Sequence, residues 1–174
     1  VFGKYKKSIS LHQKVLKVAK KFENTSLITH SLHGIATCHL QSHEVNEGIK
    51  VLDEILINSK RLGNTSDTAY TYGHISEAYA QKNDFKMAHL NIDKSLRLHE
   101  EVGIKDAIGG LYFGKGALYA YENKLDLSLE YFNRALKIFD DLRGESLPSV
   151  YTLAEIGKVY CLSKNYKKSL LFFE

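Results

Sequence analysis

Residues 72–88 read Tyr72-Gly73-His74-Ile75-Ser76-Glu77-Ala78-Tyr79-Ala80-Gln81-Lys82-Asn83-Asp84-Phe85-Lys86-Met87-Ala88, and this stretch decides the fold. Tyr72, Ile75, Ser76 and Tyr79 fall at i, i+3, i+4 and i+7, the spacing of one face of an α-helix. Asn83-Asp84 then supplies a turn and an N-cap. Phe85, Ala88, Ile92, Ser95 and Leu96 form the facing stripe of a second helix. Gly103 ends that helix, where a left-handed residue is wanted. The stretch predicts a helical hairpin.

The hairpin recurs along the chain. Tyr5, Val45, Phe85, Leu125 and Tyr166 are separated by 40, 40, 40 and 41 residues, and three residues after each stands a small one: Ser8, Gly48, Ala88, Ser128 and Ser169. Six residues before the last four stand His39, Tyr79, Tyr119 and Tyr160, and three before those Ala36, Ser76, Gly116 and Gly157. A fixed period of this length is the signature of a stacked-repeat architecture. The small positions have a physical reason, because two helices crossing closely need a residue without bulk where their axes approach. Gly63, Gly103 and Gly144 mark the ends of the units.

At this point the chain resembles the tetratricopeptide family. Tyr72-x-x-Ile75-Ser76-x-x-Tyr79 and Leu153-x-x-Ile156-Gly157-x-x-Tyr160 match the large-x-x-Leu-Gly-x-x-Tyr signature of its first helix. Phe85-x-x-Ala88 and Phe132-x-x-Ala135-Leu136 match parts of its second-helix pattern. The units here are longer than the family's usual 34 residues and close with glycine instead of proline. The resemblance implies an all-α fold, a right-handed α-solenoid of antiparallel helix hairpins, with a role in binding other polypeptides.

The register predicts one solenoid domain over 1–174. Residues 1–23 are the second helix of a truncated unit, full hairpins occupy 24–63, 64–104 and 105–145, and 146–174 is a further truncated unit opened by Pro148. Solenoids normally end in capping units with a polar outer face. Neither end here has one, so the expectation is a piece of a larger protein, or open ends that self-associate.

Composition fits a folded protein without a membrane span. Hydrophobic residues make up 44% and charged residues 25%, which excludes wholesale disorder. No apolar run approaches the roughly 20 residues that cross a bilayer. Cys38 and Cys161 stand far apart without metal-ligand spacing and read as reduced core thiols of a cytoplasmic protein. Lys4, Lys6, Lys7, Lys14, Lys17, Lys20 and Lys21 all precede the first acid, Glu23. Such a helix is a candidate nucleic-acid surface, but few aromatics interleave its lysines, so it reads first as a solvated face.

Two motifs invite chemistry. Gly109-x-x-x-x-Gly114-Lys115 matches the start of a phosphate-binding loop, yet the next residue is Gly116 where Ser or Thr is needed, and no strand precedes it. His30 with His33 and His39 with His43 can each share a helix face, but no Cys, Asp or Glu completes a set of three or four metal ligands. No Gly-x-Ser-x-Gly elbow or His-Glu-x-x-His pattern occurs. The sequence therefore predicts no enzyme, no cofactor and no metal.

In the family it resembles, the first helix of each unit lines a concave groove. The resemblance carries that role to His30, His33 and Thr37; Tyr70, Gly73 and Glu77; Gly110, Phe113 and Ala117; and Tyr151, Ala154 and Lys158. Small residues there admit a backbone, and Tyr and Phe bury side chains, so the expected partner is a protein or peptide. Some members hold a C-terminal carboxylate with a clamp of Lys and Asn. The corresponding positions here are His33, Thr37, Gly73, Glu77, Phe113 and Ala117, which form no such clamp. The expected function is a protein- or peptide-binding module, the sensory or scaffolding part of a larger regulator. The alternatives are a structural solenoid that oligomerises and nucleic-acid binding through the basic first helix.

Overall fold

The computed structural model describes residues 2–143 and 146–172. Its helices are α1 (Phe2–Lys21), α2 (Thr25–Gln41), α3 (Val45–Arg61), α4 (Thr65–Gln81), α5 (Phe85–Val102), α6 (Lys105–Tyr121), α7 (Leu125–Arg143), α8 (Leu147–Leu162) and α9 (Tyr166–Leu170). Among the described residues there is no strand. Gly144, expected at the end of the third hairpin, lies outside the described residues, as do Phe173 and Glu174.

One backbone device recurs at the ends of α1 to α6 and of α8. Glu23, His43, Gly63, Asn83, Gly103, Asn123 and Lys164 all have φ between 50° and 78°, the left-handed region. The next residue's N–H then reaches back five positions, as in Asn24 N to Ala19 O, Asn64 N to Ser59 O and Lys124 N to Tyr119 O, at 2.8 to 3.0 Å. This closure satisfies carbonyls that the helix end leaves without partners. The following helix starts on an asparagine cap where Asn24 Oδ1 accepts from Leu27 N and Asn64 Oδ1 from Asp67 N, each at 3.0 Å. The turns are therefore short.

The chain divides into two compact units, Val1–Asp84 and Phe85–Glu174. In the first, α1 packs on α2, α2 on α3 and α3 on α4. Leu32, Ala36, Leu40, Leu52, Ile55, Ile75 and Ala78 form its buried core, drawn from α2, α3 and α4. Gly48 lets α3 approach α2: a methyl group there would stand 2.7 Å from Leu40 Cδ2. All seven lysines of α1 are exposed.

In the second unit α5 packs on α6, α6 on α7, α7 on α8 and α8 on α9. Phe132, Ile156 and Val159 are its buried centre, with Phe113, Leu125, Leu136 and Tyr160 packed against them. The small positions again serve close approach. A methyl group on Gly116 would stand 2.6 Å from Phe132 Cδ1, and one on Gly109 2.7 Å from Phe139 Cε1. Two hydroxyls bridge neighbouring helices at equivalent repeat positions: Ser128 Oγ donates to Gly116 O at 2.8 Å, and Ser169 Oγ to Gly157 O at 2.9 Å.

The two cysteines part company. Cys38 is buried, and its thiol donates to Ser8 Oγ at 3.3 Å. Cys161 is exposed, which corrects the expectation that both are core thiols. The buried face of α8 runs through Thr152, Ile156 and Val159, and a helix turning about 100° per residue carries position 161 off it.

Candidate functional site

In the first unit, α1, α2 and α4 enclose an open cavity of about 880 Å³. Four of the expected groove positions line it: His30, His33, Thr37 and Tyr70. His12 of α1 and His74 of α4 complete a wall of four imidazoles and one phenol. A volume of this size holds one or two peptide side chains with their backbone. Thr25, Ser26 and Thr29, from the first turns of α2, add hydroxyls to the rim.

The wall is built by ring packing. His33 meets Tyr70 edge-on, with centroids 5.1 Å apart, and lies 5.4 Å from His74. Tyr70 and His74 close the triangle at 4.6 Å, also edge-on. Tyr70 and His74 stand four residues apart and so share one face of α4. His12 lies over Gly34, where any side chain would overlap its ring. The bare α-carbon leaves room for the ring of His12 in this position.

Burial lowers the pKa of His33 to about 4, with help from the neighbouring imidazoles His74 and His30, whose positive forms oppose a further charge. The ring is therefore neutral near pH 7. Neither of its nitrogens has a hydrogen-bond partner within the protein. Two carboxylates stand at the margin: Asp67, held by Asn64 Nδ2 at 2.8 Å, and Glu77, 3.6 Å from His74 Nδ1.

The remaining expected positions fall differently. Gly73 is partly buried and Glu77 is exposed on α4. In the second unit, Gly110 is exposed with open space around it, and Tyr151 is 65% exposed. Phe113 packs on Phe132, centroids 5.3 Å apart, and Ala117 joins the same cluster, so part of each surface serves the core. Ala154 is partly buried, and exposed Lys158 pairs with Glu155 at 2.6 Å.

Sequence reasoning missed His12, Gly34 and His74. Tyr70 at i and His74 at i+4 was a legible signal. The meeting of His12 with Gly34, 22 residues apart, is a tertiary contact without a local signature.

The glycine-lysine motif lies inside α6, with no loop to cradle a phosphate. Lys115 is 8% exposed, its Nζ 2.7 Å from Asp93 Oδ1 and its charge 4.6 Å from the centre of the Tyr131 ring. Burial works to lower its pKa, but hydrogen bonds to Asp93 and Tyr131 outweigh this and raise it. Lys115 is a buried ion-pair partner. Among the described residues no three His, Cys, Asp or Glu side chains converge on a metal position, and no helix is long and apolar enough to cross a membrane.

No family model matches the sequence, and no curated protein does. Solved structures do match. BtubC from P. vanneervenii superposes with a TM-score of 0.83 at 12% identity, over 97% of this chain and 70% of its own. A putative kinesin light chain with nearly identical TPR-like repeats, from P. anserina, gives 0.73 at 12% identity over 98% and 84%. The fold is a TPR-like helical repeat. A Rap protein complexed with competence and sporulation factor also shares it, at a TM-score of 0.73 and 14% identity, over 99% of this chain and 58% of that one.

Proposed function

We propose that the chain is a polypeptide-binding module, serving as the sensing or scaffolding part of a larger cytoplasmic regulator and catalysing no reaction itself. The observation that carries this reading is the cavity of the first unit, where exposed Tyr70 and partly buried His33 offer flat rings beside small or hydroxylated residues. Aromatic side chains of this kind anchor bound peptides at low entropic cost. In the second unit Gly110, Tyr151 and Lys158 are also exposed. The Rap protein of like fold, solved in complex with competence and sporulation factor, supports the reading by analogy of fold. Against catalysis stands the use made of buried hydroxyls. Ser31, Thr71 and Thr152 each donate to the carbonyl four residues back, at 2.7, 2.6 and 2.7 Å. A test is selection from a random twelve-residue peptide library at pH 7.5, followed by anisotropy titration of the winning peptide. Binding that Tyr70→Ala weakens at least tenfold supports the reading; enrichment of no peptide overturns it.

A second reading, self-association, is favoured by one observation. Leu11, Val15 and Val18 form an exposed apolar stripe on α1, and exposed Phe22 follows in the turn after it. Such a stripe at helical spacing fits a packed helix better than water. Light scattering over a concentration series tests it: a mass that grows with concentration supports assembly, and a constant monomer mass excludes it.

A further inference from the structure

The cavity of the first unit holds an unusual set of groups for a neutral peptide groove. His12, His30, His33 and His74 share it, and they come from three different helices. The N-terminal turns of α2 and α4 border the same space through Thr25, Ser26, Asn64 and Asp67. Helix N-termini carry partial positive charge and N–H groups that suit an anion. Near pH 7 imidazoles are mostly uncharged, and they gain charge between about pH 7 and 5.

We infer that this cavity is an acid-responsive site for the carboxylate of an acidic peptide side chain, bound with uptake of protons by the histidine wall. The inference rests on the reading that this face binds polypeptide. The groups facing the wall are few: His12 from α1, His30 and Cys38 from α2, and Asp67, Tyr70, His74 and Glu77 from α4. Of these only Asp67 and Glu77 are acidic, so a wall of protonated imidazoles exceeds its local counter-charge. Burial first, and then His74 and His30, oppose the charging of His33. A carboxylate seated among the rings offsets the repulsion between imidazoles, so that proton uptake accompanies its binding. The balance is simple: protons move from solvent to imidazole nitrogens, and no covalent bond forms or breaks. A carboxylate gains little from uncharged imidazoles, and no Lys and Asn clamp stands in for them.

The experiment titrates acetyl-(Glu)4-amide and its neutral isostere acetyl-(Gln)4-amide into the full chain at pH 7.5 and 5.5 in 0.15 M salt, following the histidine ring resonances by NMR. The expected result is at least tenfold tighter binding of the glutamate peptide at pH 5.5, with shifts at His30, His33 and His74, and no such gain for the glutamine peptide. His30→Gln with His74→Gln should abolish the gain. His43→Asn, which removes an exposed imidazole outside the cavity, should keep it. His74→Gln alone, expected to halve the effect or more, serves if the double variant does not fold. Equal affinity at the two pH values, or a gain that survives loss of His30 and His74, overturns the inference. A peptide selected at pH 7.5 that binds while the glutamate peptide does not would overturn the acid response and leave polypeptide binding standing.

Discussion

The Gly116 α-carbon lies against the ring of Phe132, so that a methyl group on Gly116 would stand 2.6 Å from Cδ1 and 2.8 Å from Cε1. Phe132 is fully buried and cannot turn aside. Gly116→Ala should therefore destabilise the chain by about 1–3 kcal/mol through overpacking. Six residues earlier in α6, Gly110 meets open space. Gly110→Ala should stabilise by up to about 1 kcal/mol, the helix-propensity gain alone. Urea unfolding of the two variants checks the pair, and the same sign for both would contradict this packing.

Phe132 itself fills the centre of the second unit beside Ile156 and Val159. Phe132→Ala should cost about 3–5 kcal/mol. Ser128→Ala, which removes the hydroxyl bridge to Gly116 O, should cost only about 1 kcal/mol, since that carbonyl keeps its helical partner. Thermal melts of both rank the two contributions.

The pH dependence follows from His33. Unfolded, its imidazole takes a proton near 6.5; folded, not until about 4. Between those values the unfolded chain binds more protons, so the contribution is intact above pH 6.5 and is lost as the pH falls toward 4. Over this window the parent chain should lose roughly 1–3 kcal/mol more than His33→Gln, given the ring's partial contact with water. Denaturant titrations at pH 7, 5.5 and 4.5 measure the difference, and parallel profiles would count against it.

Lys115 gives a prediction about chemistry. Lys115→Met should alter stability by about 1 kcal/mol or less, because its partner Asp93 is mostly exposed. Fluorescent ATP should show no binding to either form. Saturable binding lost in the variant would restore the phosphate-loop reading.

Much of the fold was legible because the repeat samples each position several times. Gly48 and Gly116 stood at small positions of the register, and each proves to be a point of close approach. The register could not reveal the left-handed residues at Glu23, His43 and Lys164, since only some of these turns carry the glycine or asparagine that advertises such a backbone. Gly109, Gly110, Gly114 and Gly116 crowd α6, a composition that weakens an exposed helix. Gly109, Gly114 and Gly116 instead meet Phe139, Ile92 and Phe132, which leaves only Gly110 with free space. The site was harder. His30, His33, Thr37 and Tyr70, expected from the family register, line the cavity, whereas His12 needed the crossing of α1 over Gly34, which no periodicity encodes.

The most direct test of polypeptide binding is hydrogen exchange on the complex with a selected peptide. Added protection at the side chains' own helices, α2 and α4 around His33 and Tyr70, is the predicted result. Protection confined to α1 and α3, with α2 and α4 unchanged, would contradict it.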